Sequence, residues 1–108
     1  MLVELDVFSG RPNPRWQVDE QIEQQLRELH RRLTSSASPP DEPPGLGYRG
    51  FRYTLDGLTW RARNGSVVGR DDVLYDPHRS IERMLLDHLP DEYGHFRSRV
   101  APDLERPP

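Results

Sequence analysis

Cysteine and lysine are both missing from the 108 residues, and no apolar run approaches the ~20 residues that a membrane-spanning helix requires. Without cysteine there are no disulfides, thiolate nucleophiles, iron-sulfur clusters or cysteine zinc sites. Without lysine, all fifteen cationic side chains are arginines, and they face eighteen Asp and Glu for a net charge of -3. That balance argues against general nucleic-acid binding through phosphate neutralisation. The opening MLVELDV is too short and too acidic for a secretion signal, so a cytoplasmic location is expected. The length suits one domain, and a hydrophobic share of 33% predicts marginal stability or a homodimer.

Arginine in place of lysine has two readings. Arginine codons are GC-rich, so genome composition alone can produce the pattern. The guanidinium fork also binds carboxylates and phosphates bidentately where an ammonium cannot, so particular arginines can form a site. Position along the chain has to separate the two.

The segment LVELDVF at residues 2–8 alternates, with Val3, Leu5 and Val7 on one face and Glu4, Asp6 and Phe8 on the other, and predicts a half-buried strand. SGRPNPR follows as a stiff loop, because its glycine and prolines oppose regular structure. From Val18 to Leu33 the apolar positions Val18, Ile22, Leu26, Leu29 and Leu33 mark one helical stripe, with Asp19 as its N-cap. A proline-rich connection, TSSASPPDEPPGLG, ends that helix.

Asp56-Gly57 and Asn64-Gly65 are each the preferred pair for a type I′ hairpin turn. The register they impose sets Leu55 against Leu58, Tyr53 against Trp60, Phe51 against Ala62 and Ala62 against Val67, all on one buried face. A three-stranded meander over residues 50–69 is predicted. Asp76-Pro77 reads as the start of a second helix whose apolar face carries Ile81, Met84, Leu85, His88 and Leu89. The expected architecture is α+β in the order β-α-β-β-β-α, a two-layer sandwich of a mainly antiparallel four-stranded sheet with two helices on one face. Residues 1–92 form the single domain in this reading, and 93–108 a partly disordered tail.

Three regions offer chemistry. The sheet's polar face sets Arg52 opposite Arg61 with Arg63 alongside, an unfavourable grouping unless the carboxylates of Glu4 and Asp6 lie next to it or an anionic ligand or acidic partner meets it. The loops around Arg11 and Arg15, and around Tyr48 and Arg49, combine arginine with glycine or proline, and an exposed Tyr-Arg pair suits a carboxylate or phosphate. The bland alternative makes both loops tight connections in which Trp16, Tyr48 and Phe51 cap the core. Neither loop fits a phosphate-binding glycine fingerprint. His30, His78, His88 and His95 form the third group. His78 and His88 stand ~15 Å apart along a helix and cannot share a metal, and the acidic turn of Asp71, Asp72, Asp76 and His78 is explained as well by a helix cap as by a cation site. No serine or threonine has the context of an activated nucleophile.

Taken together, FSGRPNPRW, GLGYRGF and DPHRSIERMLLDHL resemble small uncharacterised bacterial proteins of high-GC organisms over most of the chain. The resemblance supports the element boundaries and implies no activity, cofactor or catalytic residue. The leading expectation is a non-catalytic binding or accessory module that takes an anionic group on a small molecule or peptide through Arg11, Arg15, Tyr48 and Arg49, with no cofactor and no metal. The alternatives are a small enzyme using His78 or His88 beside Asp72, Tyr75 or Asp76, and an interaction module whose arginines dock on an acidic partner protein.

Overall fold

The computed structural model describes residues 1–8, 12–36 and 47–105. Strand β1 (Leu2–Phe8) buries Val3, Leu5 and Val7 on one face, as its alternation predicts. The segment expected to run as a loop into the first helix instead turns back on β1 as strand β2 (Arg15–Gln17), pairing Glu4 with Arg15 and Val3 with Trp16. Proline is compatible with this edge because only the Pro14 carbonyl is needed, and it accepts the Leu5 N–H at 3.0 Å.

The meander forms as β4 (Gly47–Leu55), β5 (Leu58–Arg63) and β6 (Ser66–Val68), after the two-residue β3 (Thr34–Ser35). Asp56 and Gly57 have φ of 52° and 83°, and Asn64 and Gly65 51° and 81°, the left-handed pairs that type I′ turns require. The cross-strand partners are those the turns imply. Leu58 departs from the expected buried face, at 50% exposure. Strand β7 (Val73–Tyr75) completes one sheet of seven strands, ordered β2-β1-β4-β5-β6-β7-β3, with every pair among the described residues antiparallel. The four-stranded expectation is therefore corrected to seven. The three additional strands, β2, β3 and β7, have two or three residues each, too few to display a period of two.

Helix α1 (Glu20–Arg32) joins the two edges of this sheet, since β2 precedes it and β3 follows. Thirteen helical residues cover ~20 Å, and the three flanking residues Val18, Asp19 and Leu33 add ~10 Å. Six strand spacings of ~4.8 Å require about the same distance. Asp19 caps the helix, its Oδ1 accepting the Ile22 N–H at 2.9 Å. Leu26 is fully buried, and Arg27 reaches the β4–β5 turn, where it bonds both carboxylate oxygens of Asp56.

Helix α2 (Ser80–Asp87) begins three residues later than Asp76-Pro77 suggests. Asp76 to Arg79 form a turn instead, closed by Arg79 N–H to the Asp76 carbonyl at 3.0 Å, with Arg79 left-handed at φ 54°. Asp76 still caps the helix, because its buried Oδ2 accepts the Ile81 N–H at 3.0 Å. Residues 93–105, read as part of a tail, belong to the packed structure: a 3-10 helix (Asp91–Phe96) leads into helix α3 (Arg97–Leu104). Phe96, Val100 and Leu104 repeat every four residues and are buried in the core. Gly94 and Pro102 mask that stripe at the level of sequence. Three α-helices are thus present where two were expected, and α1 and α2 both meet inward-facing tyrosines of β4: His30 meets Tyr53 and Glu82 meets Tyr48.

Candidate anion-binding face

The face of the sheet turned away from the buried side is built by register. One cross-strand row runs Arg15, Glu4, Arg52, Arg61, Val68 and Val73, and a second runs Arg63, Ser66, Tyr75 and Thr34. Between β1 and β4 the pairing slips by one residue, so that Leu5 faces Phe51 but Val7 faces Tyr48, and Arg49 and Gly50 form a bulge opposite Asp6. Gly50 has φ +108°, and a Cβ there would stand 2.7 Å from the Ala62 carbonyl oxygen, so glycine meets both requirements of the bulge. Arg49 follows the inward-facing Tyr48 and lies on the outer side.

Strand β1 sits between the arginines and supplies carboxylates to them. Glu4 Oε1 accepts from Arg15 Nε at 2.9 Å, and Glu4 Oε2 accepts from Asn13 Nδ2 at 2.9 Å with Arg52 only within 3.9 Å. Asp6 Oδ2 accepts from Arg61 Nη1 at 2.9 Å, and Asp6 Oδ1 from Asn13 Nδ2 at 3.3 Å. Asn13 also accepts the Val7 N–H, so one amide organises both acids and the strand. Arg61 further donates to the Arg49 carbonyl at 2.6 Å. The two carboxylates are therefore occupied. Among the described residues, Arg49 and Arg63 have no carboxylate partner, and the buried Arg49 Nε has no hydrogen-bond partner.

The four residues singled out by sequence separate. Arg15 lies on β2, exposed and bound to Glu4. Arg49 lies at the bulge. Arg11 lies outside the described residues. Tyr48, expected at an exposed loop, is a core residue of β4 and donates to Glu82 at 2.6 Å. Pairing with β1 continues past the bulge to Gly47, and this converts the expected loop into strand. Phe8 pairs with Gly47, so the chain leaves β1 and enters β4 at the same end of the sheet.

The histidines nominated for catalysis are both exposed, and His88, expected on the apolar face of α2, hydrogen-bonds through Nδ1 to the Met84 carbonyl at 2.8 Å. Among the described residues no three His, Asp or Glu side chains converge to hold a metal. A groove of about 710 Å³ between α1 and α2 is lined by Gln21, Gln24, Gln25 and Met84 among others, and contains no histidine. No helix among them is long and apolar enough to cross a membrane.

Two polar clusters, one buried and one half-buried, are absent from the sequence reading. Arg79, one residue before α2, donates from Nε and Nη2 to Glu82 at 2.9 and 2.8 Å and bonds Asp103 of α3 through its side-chain and main-chain oxygens. Glu82 also accepts from Tyr48 and from the Asn64 and Gly65 amides. Burial opposes the charge of Arg79, but the hydrogen bonds and charge of Glu82 outweigh it and hold the guanidinium above its ordinary range. Burial, reinforced by Glu82, pushes the Tyr48 hydroxyl well above its ordinary range. The i, i+3 spacing of Arg79 and Glu82 is the one sequence signal that points here. In the second cluster His30 Nε2 is 2.7 Å from the Tyr53 hydroxyl and its ring stands edge-on to Trp60, with centroids 4.8 Å apart. Its signal is the four-residue step from Ile22 through Leu26 to His30.

Compared with protein-family models, with curated proteins and with solved structures, the chain matches none.

Proposed function

We propose that the protein is a non-catalytic binding module whose outer sheet face takes an anionic group through Arg49, Arg52 and Arg63. The observation that carries this reading is that Arg49 and Arg63 have no carboxylate partner among the described residues, beside arginines whose neighbouring carboxylates are already bound. The guanidinium fork favours carboxylate or phosphate oxygens bidentately. Arg15 borders the face and keeps Glu4 occupied, whereas Tyr48 acts only from below, by fixing β4 on α2.

Isothermal titration with citrate and with inorganic phosphate tests the site. Saturable binding that weakens about tenfold or more in Arg49→Ala and Arg63→Ala, and stays unchanged in Arg97→Ala, at an exposed position of α3, is the expected result. Equal affinity in the wild type and in both face variants would remove the basis of the proposal.

A further inference from the structure

Resting on that anion-site reading, we infer that the occupant is an extended acidic polypeptide segment that also carries an apolar side chain, rather than a free small anion. The outer face has two chemically different halves. On β4 and β5 it presents Arg49, Arg52, Arg61 and Arg63, and on β6 and β7 it presents Val68, Val73 and Tyr75 with no charge. Tyr75 is 48% exposed although it sits in the middle of a hydrogen-bonded ladder between Ser66 and Thr34. Exposed aromatic surface beside arginine is the composition of binding hot spots.

Register fixes the spacing. Arg63 pairs with Ser66 and Ser66 with Tyr75, so Arg63 and Tyr75 occupy one row two strand spacings apart, ~10 Å. A single carboxylate or phosphate engages one half only. An extended chain rises ~3.3 Å per residue and turns every second side chain to the same side, so an acidic residue and an apolar one two or four positions later, ~7 or ~13 Å away, face the sheet together and bracket this spacing within the reach of the long Arg63 side chain.

Charge complementarity selects the partner. Five arginines, counting Arg15, share this face with Glu4 and Asp6, on a chain whose net charge is -3. The surplus is local and suits a short run of carboxylates. The two acids on the face and the negative whole make a poor track for a continuous phosphate backbone.

The test uses the full chain and fluorescence polarisation with a labelled peptide of three glutamates, two glycines and a Leu-Phe pair. Its controls are the same peptide ending in two serines, labelled oligothymidylate, and citrate measured by calorimetry. The expected pattern is about tenfold weaker peptide binding in Tyr75→Ser with citrate binding unchanged, and loss of both in Arg63→Ala. Peptide binding insensitive to Tyr75→Ser and to the serine replacement, with citrate still bound through Arg63, overturns the inference and leaves the anion site standing. If neither peptide nor citrate binds, both readings fail. Tighter binding of oligothymidylate than of peptide overturns the peptide assignment in favour of single-stranded nucleic acid. Self-association in sedimentation that Arg63→Ala abolishes assigns the face to a second copy of the chain and overturns it likewise.

Discussion

The Tyr48 hydroxyl donates to the Glu82 carboxylate across 2.6 Å, and this one bond ties the bulged strand β4 to helix α2. Glu82 is at the same time the counter-ion of Arg79, and both side chains are almost fully enclosed. Removing one partner of a buried pair leaves an uncompensated charge, which costs more than the pair itself contributes. Glu82→Ala is therefore expected to lose about 3–5 kcal/mol of unfolding free energy in urea titrations. Tyr48→Phe, which removes a single hydrogen bond to a charged group, should lose about 1.5–3 kcal/mol. A loss under 1 kcal/mol in Glu82→Ala would show that the network is not a fixed element of the fold.

The meander was legible in the sequence because two turn signals and one hydrophobic alternation agree on the same register, which brings Arg52, Arg61 and Arg63 to one face. Arg49 was legible as a residue beside glycines, but the bulge that places it was not, since a one-residue slip is set by Gly50 fitting against the Ala62 carbonyl. Tyr48 was offered both as an exposed ligand contact and as a cap on the core, and the core reading holds because β4 runs on through Gly50 to Gly47. His30 was named among the histidines, but its contact with Tyr53 and Trp60 was not legible, because a ring at the end of an apolar stripe has the same spacing as a surface residue. The Arg79 and Asp103 pairing joins residues 24 apart and depends on a helix hidden by Pro102.

The His30 imidazole and the Tyr53 hydroxyl predict a pH dependence. Burial pushes the His30 ring below its ordinary value of ~6.5, with the charge of Asp76 opposing in part. The unfolded chain therefore binds a proton at higher pH than the folded chain does. Stability should fall as pH drops from ~6.5 toward the folded value, and this contribution levels off below it. Thermal melts of wild type and His30→Gln between pH 5 and 8 separate this group from the rest, the variant being expected to show a flatter slope on the acid side. Identical slopes would mean that His30 titrates as though unfolded.

Gly50 and Gly57 both have positive φ, yet they should respond differently to alanine. At Gly57, φ is +83° and nothing lies within 4 Å of an added Cβ, so Gly57→Ala meets only the left-handed backbone penalty of about 1–2 kcal/mol. At Gly50 the added Cβ meets backbone at 2.7 Å, and neither β4 nor β5 can move without breaking the ladder. Gly50→Ala is expected to be destabilising by clearly more than Gly57→Ala in the same melt, and to weaken citrate binding by displacing Arg49. Equal losses in the two variants would place the bulge in a region free to relax.

Leu104 is the last core residue of α3, 3% exposed, and Arg83 and Arg79 grip the backbone around it through the Leu104 and Asp103 carbonyls. A terminal helix without such anchorage frays, and its side chains contribute little. Here the apolar stripe of Phe96, Val100 and Leu104 fills the core, while Arg97, Ser98 and Arg99 face solvent. Leu104→Ala should then lose about 2–5 kcal/mol, the range for a buried leucine whose site cannot collapse. Arg97→Ala should stay within about 0.5 kcal/mol of wild type. Ending the chain after residue 95 removes the whole stripe together with the Asp103 partner of buried Arg79 and is expected to abolish cooperative unfolding. A truncated protein that melted as sharply as the full chain would return these residues to the status of a tail.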